Sequence, residues 1–121
     1  MAMFDSKAKT IAQLQKTIDE KNAGTFRYYD EIGRLYYSQY RDASADVSKD
    51  INTRCEAVSA LYSDIELCNM KILFENGLKL CLKCRKENPL DHAFCSACGA
   101  KFAEGSDKSP EYLAPAPAVN E

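Results

Sequence analysis

Between residues 5 and 76 the hydrophobic positions recur at helical spacing, and no proline interrupts them. Val47, Ile51, Arg54, Val58, Leu61, Ile65, Cys68 and Ile72 alternate at steps of four and three, a heptad seam with a single charged member. Ser44 reads as the N-cap of this helix and Asp46 as an acid in its first turn, where the helix dipole favours negative charge. Asn76 and Gly77 read as its stop. Upstream, Phe4, Ile11, Leu14, Ile18, Tyr28, Ile32 and Leu35 fit a similar seam, with Tyr29 and Tyr36 widening it. Lys7 and Lys21 fall on seam positions, and Thr25 is a weak one. Gly24 costs a helix about 1 kcal/mol relative to alanine, so it marks either a tolerated kink or a break in the first helix.

An apolar stripe cannot stay dry on a lone helix. The polar link at residues 41–45 is long enough to reverse the chain but not to travel, so the two segments are expected to pair as an antiparallel helical hairpin, a coiled coil covering residues 5–76. Two helices still leave apolar outer edges, which makes self-association through the hairpin an expectation. Arg54 on the seam has two readings. It either sets register by pairing with a partner, or lays its aliphatic stem across the seam and sends the guanidinium to solvent.

The periodicity ends where the cysteines begin. Cys81-Leu82-Lys83-Cys84 and Cys95-Ser96-Ala97-Cys98 are separated by ten residues. Each Cys-x-x-Cys forms a knuckle that aims two sulfurs at one point, and two such knuckles complete a tetrahedron. Cys81, Cys84, Cys95 and Cys98 are therefore the candidate metal ligands, with one structural Zn²⁺ as the expected ion. Iron also suits a four-sulfur cage. A redox pair would call for a βαβ setting, and disulfides for an oxidising compartment. Gly99 falls where the second knuckle must turn with φ > 0, and Asn88-Pro89 supplies a turn signal between the knuckles. Phe94 and Phe102 are the expected apolar lining of this module, residues 78–102. His92, the one histidine, is superfluous as a ligand. Cys68 sits on the helical seam as a small buried hydrophobe, and Cys55 lies one residue off it.

Residues 103–121 hold three of the four prolines and little that could pack, and read as a disordered tail. The expected architecture is mainly α: a helical hairpin, a small β zinc ribbon, then the tail. The chain of 121 residues has a formal charge of −2, nearer −4 once four thiolates (−4) and a dication (+2) are included. That weak acidity argues against wrapping nucleic acid or lying on an anionic membrane. No run approaches the roughly 20 apolar residues of a membrane span, and the N-terminus lacks a signal-peptide core, so a cytoplasmic protein is expected. In 78–102, five cations face two acids, a local +3 that keeps nucleic-acid binding by the ribbon as an alternative function. No catalytic Ser/His/Asp set, phosphate loop or open metal position is present, so no enzyme is expected.

Five of seven tyrosines crowd residues 28–40: Tyr28, Tyr29, Tyr36, Tyr37 and Tyr40. They cover more than one helical face, which suits either ordinary packing or an interaction face for a protein partner. The segment Tyr29-Asp30-Glu31-Ile32-Gly33-Arg34-Leu35-Tyr36-Tyr37 resembles the Y-x-x-I-G-K-L-Y-Y segment of small bacterial zinc-ribbon proteins. Cys81-Leu82-Lys83-Cys84 … Asn88-Pro89 … Ala93-Phe94-Cys95-Ser96-Ala97-Cys98-Gly99 is similar to their C-P-x-C-G-x-x-N-P-x-x-A-x-F-C-x-x-C-G ribbon. The resemblance spans residues 5–102 and implies a helical hairpin followed by a zinc-binding ribbon. Two positions depart from it: Leu82 replaces a common proline, and Arg85 stands where the first knuckle usually has glycine. A side chain at positive φ there costs on the order of 1 kcal/mol.

Overall fold

The computed structural model describes residues 2–110, with side chains from Ser6 onward. Helix α1 spans Ala2–Arg41 and helix α2 spans Ser48–Glu75. At 1.5 Å per residue, α1 is about 60 Å long and α2 about 42 Å. They run antiparallel: Lys21 Nζ lies 3.1 Å from Asp64 Oδ2, and Arg54 Nε 3.4 Å from Glu31 Oε1. These partners cross the hairpin at successive levels.

The seam forms as its spacing dictates. Ile18, Thr25, Val58 and Cys68 are buried, and Ile11, Leu14, Lys21, Tyr28, Ile32, Leu35, Ile51, Leu61, Ile65 and Ile72 are half-buried. Phe4 lies outside the described side chains. Thr25 satisfies its hydroxyl by donating to Asn22 O at 2.7 Å. Arg54 takes the pairing role, meeting Glu31 across the seam and Asp50 Oδ1 at 3.9 Å on its own helix.

Helix α1 passes through Gly24 without a break. A Cβ at Gly24 would stand 3.2 Å from Leu61 Cδ1, so α2 crosses too near for a side chain to be added freely. The intrinsic cost of the glycine is thus offset by a close helix crossing. Gly33 has no such local reason, since a Cβ there would meet nothing within 4 Å. It carries the same helical cost of about 1 kcal/mol. Tyr29 and Tyr36 do not widen the seam. Both stay exposed at the edge of the seam, although Tyr29 still reaches α2 through its hydroxyl, 2.9 Å from that of Tyr62.

The reversal differs from expectation at one end. Helix α2 starts at Ser48, with Val47 in the N-cap position and no side-chain cap. Ser44 is not the cap. Its N–H and hydroxyl both donate to Asp42 Oδ1, at 3.1 and 2.6 Å, which closes a turn four residues before the helix. Asp46 lies outside the first turn and accepts from Ser48 N at 3.1 Å. Two local Asx-type bonds outcompete the serine cap. The stop is as read: Asn76 ends α2, and Gly77 follows at φ +77°.

Strands β1 (Leu78–Leu80) and β2 (Glu87–Pro89) pair antiparallel, with Leu78 opposite Pro89, Lys79 opposite Asn88 and Leu80 opposite Glu87. Asn88 and Pro89 are therefore strand residues, not a turn. A bridge between Phe94 and Lys101 sets the second knuckle. The module packs on α2 through Met70, which is buried together with Cys81, Cys95 and Phe102. Arg85 Nη2 stands 2.6 Å from Glu66 Oε1 of α2, a second tie. Packing also extends past residue 102, because Ser106 is buried. The remainder of the expected tail, 111–121, lies outside the described residues.

Candidate metal centre

The two knuckles are built alike. In the first, Cys81 N donates to Lys86 O at 2.9 Å and Cys81 O accepts from Arg85 N at 2.7 Å. In the second, Cys95 N donates to Ala100 O at 2.8 Å and Cys95 O accepts from Gly99 N at 2.9 Å. The fifth residue of each turn is left-handed, Arg85 at φ 68° and Gly99 at φ 74°. The expected strain at Arg85 is therefore present, and its side chain is the one that reaches Glu66.

This geometry brings all four cysteines together. The Sγ atoms of Cys81, Cys84, Cys95 and Cys98 lie within 4.8 Å of one another and could hold a metal ion. Two cross-knuckle pairs are nearer: Cys81–Cys98 at 3.6 Å and Cys84–Cys95 at 3.5 Å. Sulfurs about 2.3 Å from a shared tetrahedral ion stand roughly 3.8 Å apart, so the cluster has the size of a four-thiolate cage. A disulfide would need about 2.05 Å. Cys81 and Cys95 are buried, while Cys84 and Cys98 face outward.

The electrostatics suit a cation. Backbone N–H groups of Cys84 and Lys83 pull the Cys81 thiol below its ordinary value. Those of Cys98 and Ala97, with the Asn88 amide, lower Cys95 to about 6 against the opposition of burial. At Cys84 the Lys86 N–H also lowers, but hydrogen bonding to Cys95, burial and the other two thiols outweigh it and push the group up to about 12. Four adjacent sulfurs cannot all ionise against their mutual repulsion unless a cation among them supplies the opposing charge.

Asn88 is the residue that sequence reasoning missed. Its side chain is fully buried. Its Nδ2 donates to Cys95 Sγ at 3.5 Å and to Lys86 O at 3.1 Å, and its Oδ1 accepts from Ser96 N at 2.9 Å. One amide thus links the first knuckle, the second knuckle and a ligand sulfur, the role that outer-shell groups play at metal sites. The adjacent Pro89 reads locally as a turn, while both residues belong to β2.

Lys79 is the other surprise. It is buried, with Nζ donating to His92 O at 2.6 Å and Ser106 Oγ at 2.9 Å, 4.1 Å above the Phe102 ring centroid. Burial lowers its pKa, partly opposed by Asp107 and Asp91. His92 contributes a backbone oxygen to this knot and its side chain stands outside the cysteine cluster. Phe102 lines the module as expected, but Phe94 is 57% exposed and does not. Cys68 is buried on the seam and Cys55 is half-buried beside it.

The chain defines a class by its parts: a helical hairpin joined to a small two-stranded module that presents four clustered cysteines. Comparison with protein-family models, with curated proteins and with solved structures gave no match. Among the described residues, no helix is long and apolar enough to cross a membrane.

Proposed function

We propose that this is a non-enzymatic zinc-binding protein. In this reading Cys81, Cys84, Cys95 and Cys98 hold one structural Zn²⁺ in a zinc ribbon, and the hairpin serves as a protein-interaction or oligomerisation module in the cytoplasm. The observation that carries it is the closed donor set. Four protein sulfurs within 4.8 Å fill every position of a tetrahedral ion and leave none for substrate. Zinc is favoured over other ions because a d¹⁰ cation has no geometric preference to oppose a tetrahedral sulfur cage. When bound, the ion supplies cross-linking of the two knuckles and charge neutralisation, and no chemistry beyond that. Residues 78–106 bury few apolar side chains of their own, so the ion's binding energy would be their folding energy. Nucleic-acid binding is less well supported than the fivefold cationic count suggests, because Lys79 is buried and Arg85 faces Glu66.

Chelation of the full chain, followed by amide NMR and circular dichroism, tests the structural role. Removing the metal is expected to collapse the amide dispersion of residues 78–106 while most of the hairpin's helicity remains. Ribbon amides unmoved by chelation would contradict it.

A further inference from the structure

Six large aromatic side chains stay exposed along the hairpin, five of them in the half of α1 that leads to the turn. Phe26, Tyr29, Tyr36, Tyr37 and Tyr40 on α1 and Tyr62 on α2 are each 46–77% exposed. Contacts link four of them in two pairs. Tyr29 and Tyr62 share a hydroxyl–hydroxyl hydrogen bond of 2.9 Å, and the Tyr37 and Tyr40 rings stack with centroids 6.2 Å apart. At about 150–250 Å² per aromatic side chain, the exposed fractions amount to roughly 540–900 Å². A stable pairwise interface needs about 800 Å² per partner.

The arrangement of this patch is symmetric in sequence about Gly33. Phe26 and Tyr40 lie seven residues to either side, Tyr29 lies four before and Tyr37 four after, and Asp30 and Tyr36 lie three away. On a helix these positions share one face, beside the seam rather than on it. Gly33 sits at the centre with open space where a Cβ would be, so its helical penalty is unexplained within one chain.

We propose that this stripe is the interface of an antiparallel homodimer, with a two-fold axis at Gly33 and a second copy of this chain as its occupant. The inference rests on the interaction-module reading above and names the partner of that module. A two-fold interface must be self-complementary, each patch facing its own copy. With the axis at Gly33, Phe26 faces Tyr40 of the second copy, Tyr29 faces its Tyr36, and Asp30 faces its Tyr37. Gly33 faces itself, where the absence of a side chain lets the two helices approach. Charge follows the same symmetry. Asp30 and Arg34 form a pair 2.8 Å apart on the edge of the stripe, and reversal of the second helix places Asp30 of each copy beside Arg34 of the other. Like charges do not meet. The cysteine modules, attached at Glu66 and Met70, project from opposite ends of the assembly.

Sedimentation equilibrium of the metal-loaded full chain, at concentrations up to about 100 µM, reads the outcome. The expected mass is twice the 13.5 kDa of one chain. The double variant Tyr36→Glu, Tyr40→Glu is expected to raise the dimer dissociation constant by at least about 100-fold while leaving helical dichroism unchanged. A photo-crosslinking phenylalanine analogue at Phe26 is expected to capture the second copy on the peptide that contains Tyr40. An intact chain that stays at 13.5 kDa throughout this range overturns the proposal, as does a dimer that survives the double variant. A monomer that captures a different protein, with capture lost in the double variant, overturns the second copy as occupant but leaves the interaction module standing. A monomer that captures nothing overturns both.

Discussion

Asn88 is the polar side chain on which the two halves of the cysteine module converge. It is fully buried, and all of its bonds go to the two knuckles: Cys95 Sγ, Ser96 N and Lys86 O. Replacing it with alanine removes a donor to a ligand sulfur and orphans the Ser96 N–H. Loss of an outer-shell partner of this kind typically costs 10–100-fold in metal affinity, so Asn88→Ala is expected to weaken zinc binding by that range. Competition with a chromophoric chelator measures it, and unchanged affinity would mean that the amide only packs. At this scale the sequence was legible for residues whose chemistry is intrinsic. Four cysteines at knuckle spacing announce thiolate ligands whatever surrounds them. Asn88 and Lys79 have roles created by burial and by partners 7–27 residues away, which local pattern does not carry.

At the scale of elements, the two knuckles are the same turn written twice, once with glycine and once with arginine. Gly99 adopts φ 74° at no steric cost, whereas Arg85 adopts φ 68° against one. The arginine side chain recovers part of that cost by its pair with Glu66, worth roughly 0.2–1 kcal/mol at its degree of exposure. Arg85→Ala keeps the strained backbone and loses the pair, while Arg85→Gly loses the pair and relieves the backbone. The glycine variant is therefore expected to be more stable than the alanine variant by about 1–2 kcal/mol. Urea unfolding of the two metal-loaded variants checks the order, and equal midpoints would show that the left-handed turn carries no strain. The helices were the most legible elements. Steps of four and three over α2 identified Val58 and Cys68, which are buried, and Ile51, Arg54, Leu61, Ile65 and Ile72, which are half-buried, because helical geometry converts spacing directly into a face. Their ends were less so: Asp42 and Asp46 draw Ser44 and Ser48 into turns, and a serine that reads as a cap becomes a turn donor. Tyr29 and Tyr36 were misplaced because an aromatic one position off a seam can join it or turn away, and here the narrow two-helix contact leaves them outside.

For the whole molecule, the cysteine module and the hairpin are not independent. Met70 of α2 joins Cys81, Cys95 and Phe102 in one apolar cluster, and Glu66 reaches Arg85, so the module uses the base of the rod as part of its core. Sequence periodicity gave no sign of this, since Met70 lies off the seam and its partners belong to a different element. The aromatic stripe lies in the half of α1 that leads to the turn, which separates the cysteine cluster from the surface where we place association. The proposed function depends first on a metal ion held by these four sulfurs and by nothing else. Native mass spectrometry of the chain purified under reducing conditions tests this most directly. One zinc ion per chain is predicted, lost when Cys84 and Cys98 are both replaced by serine. A chain that carries no zinc, or that keeps its zinc in the Cys84→Ser, Cys98→Ser variant, would contradict it.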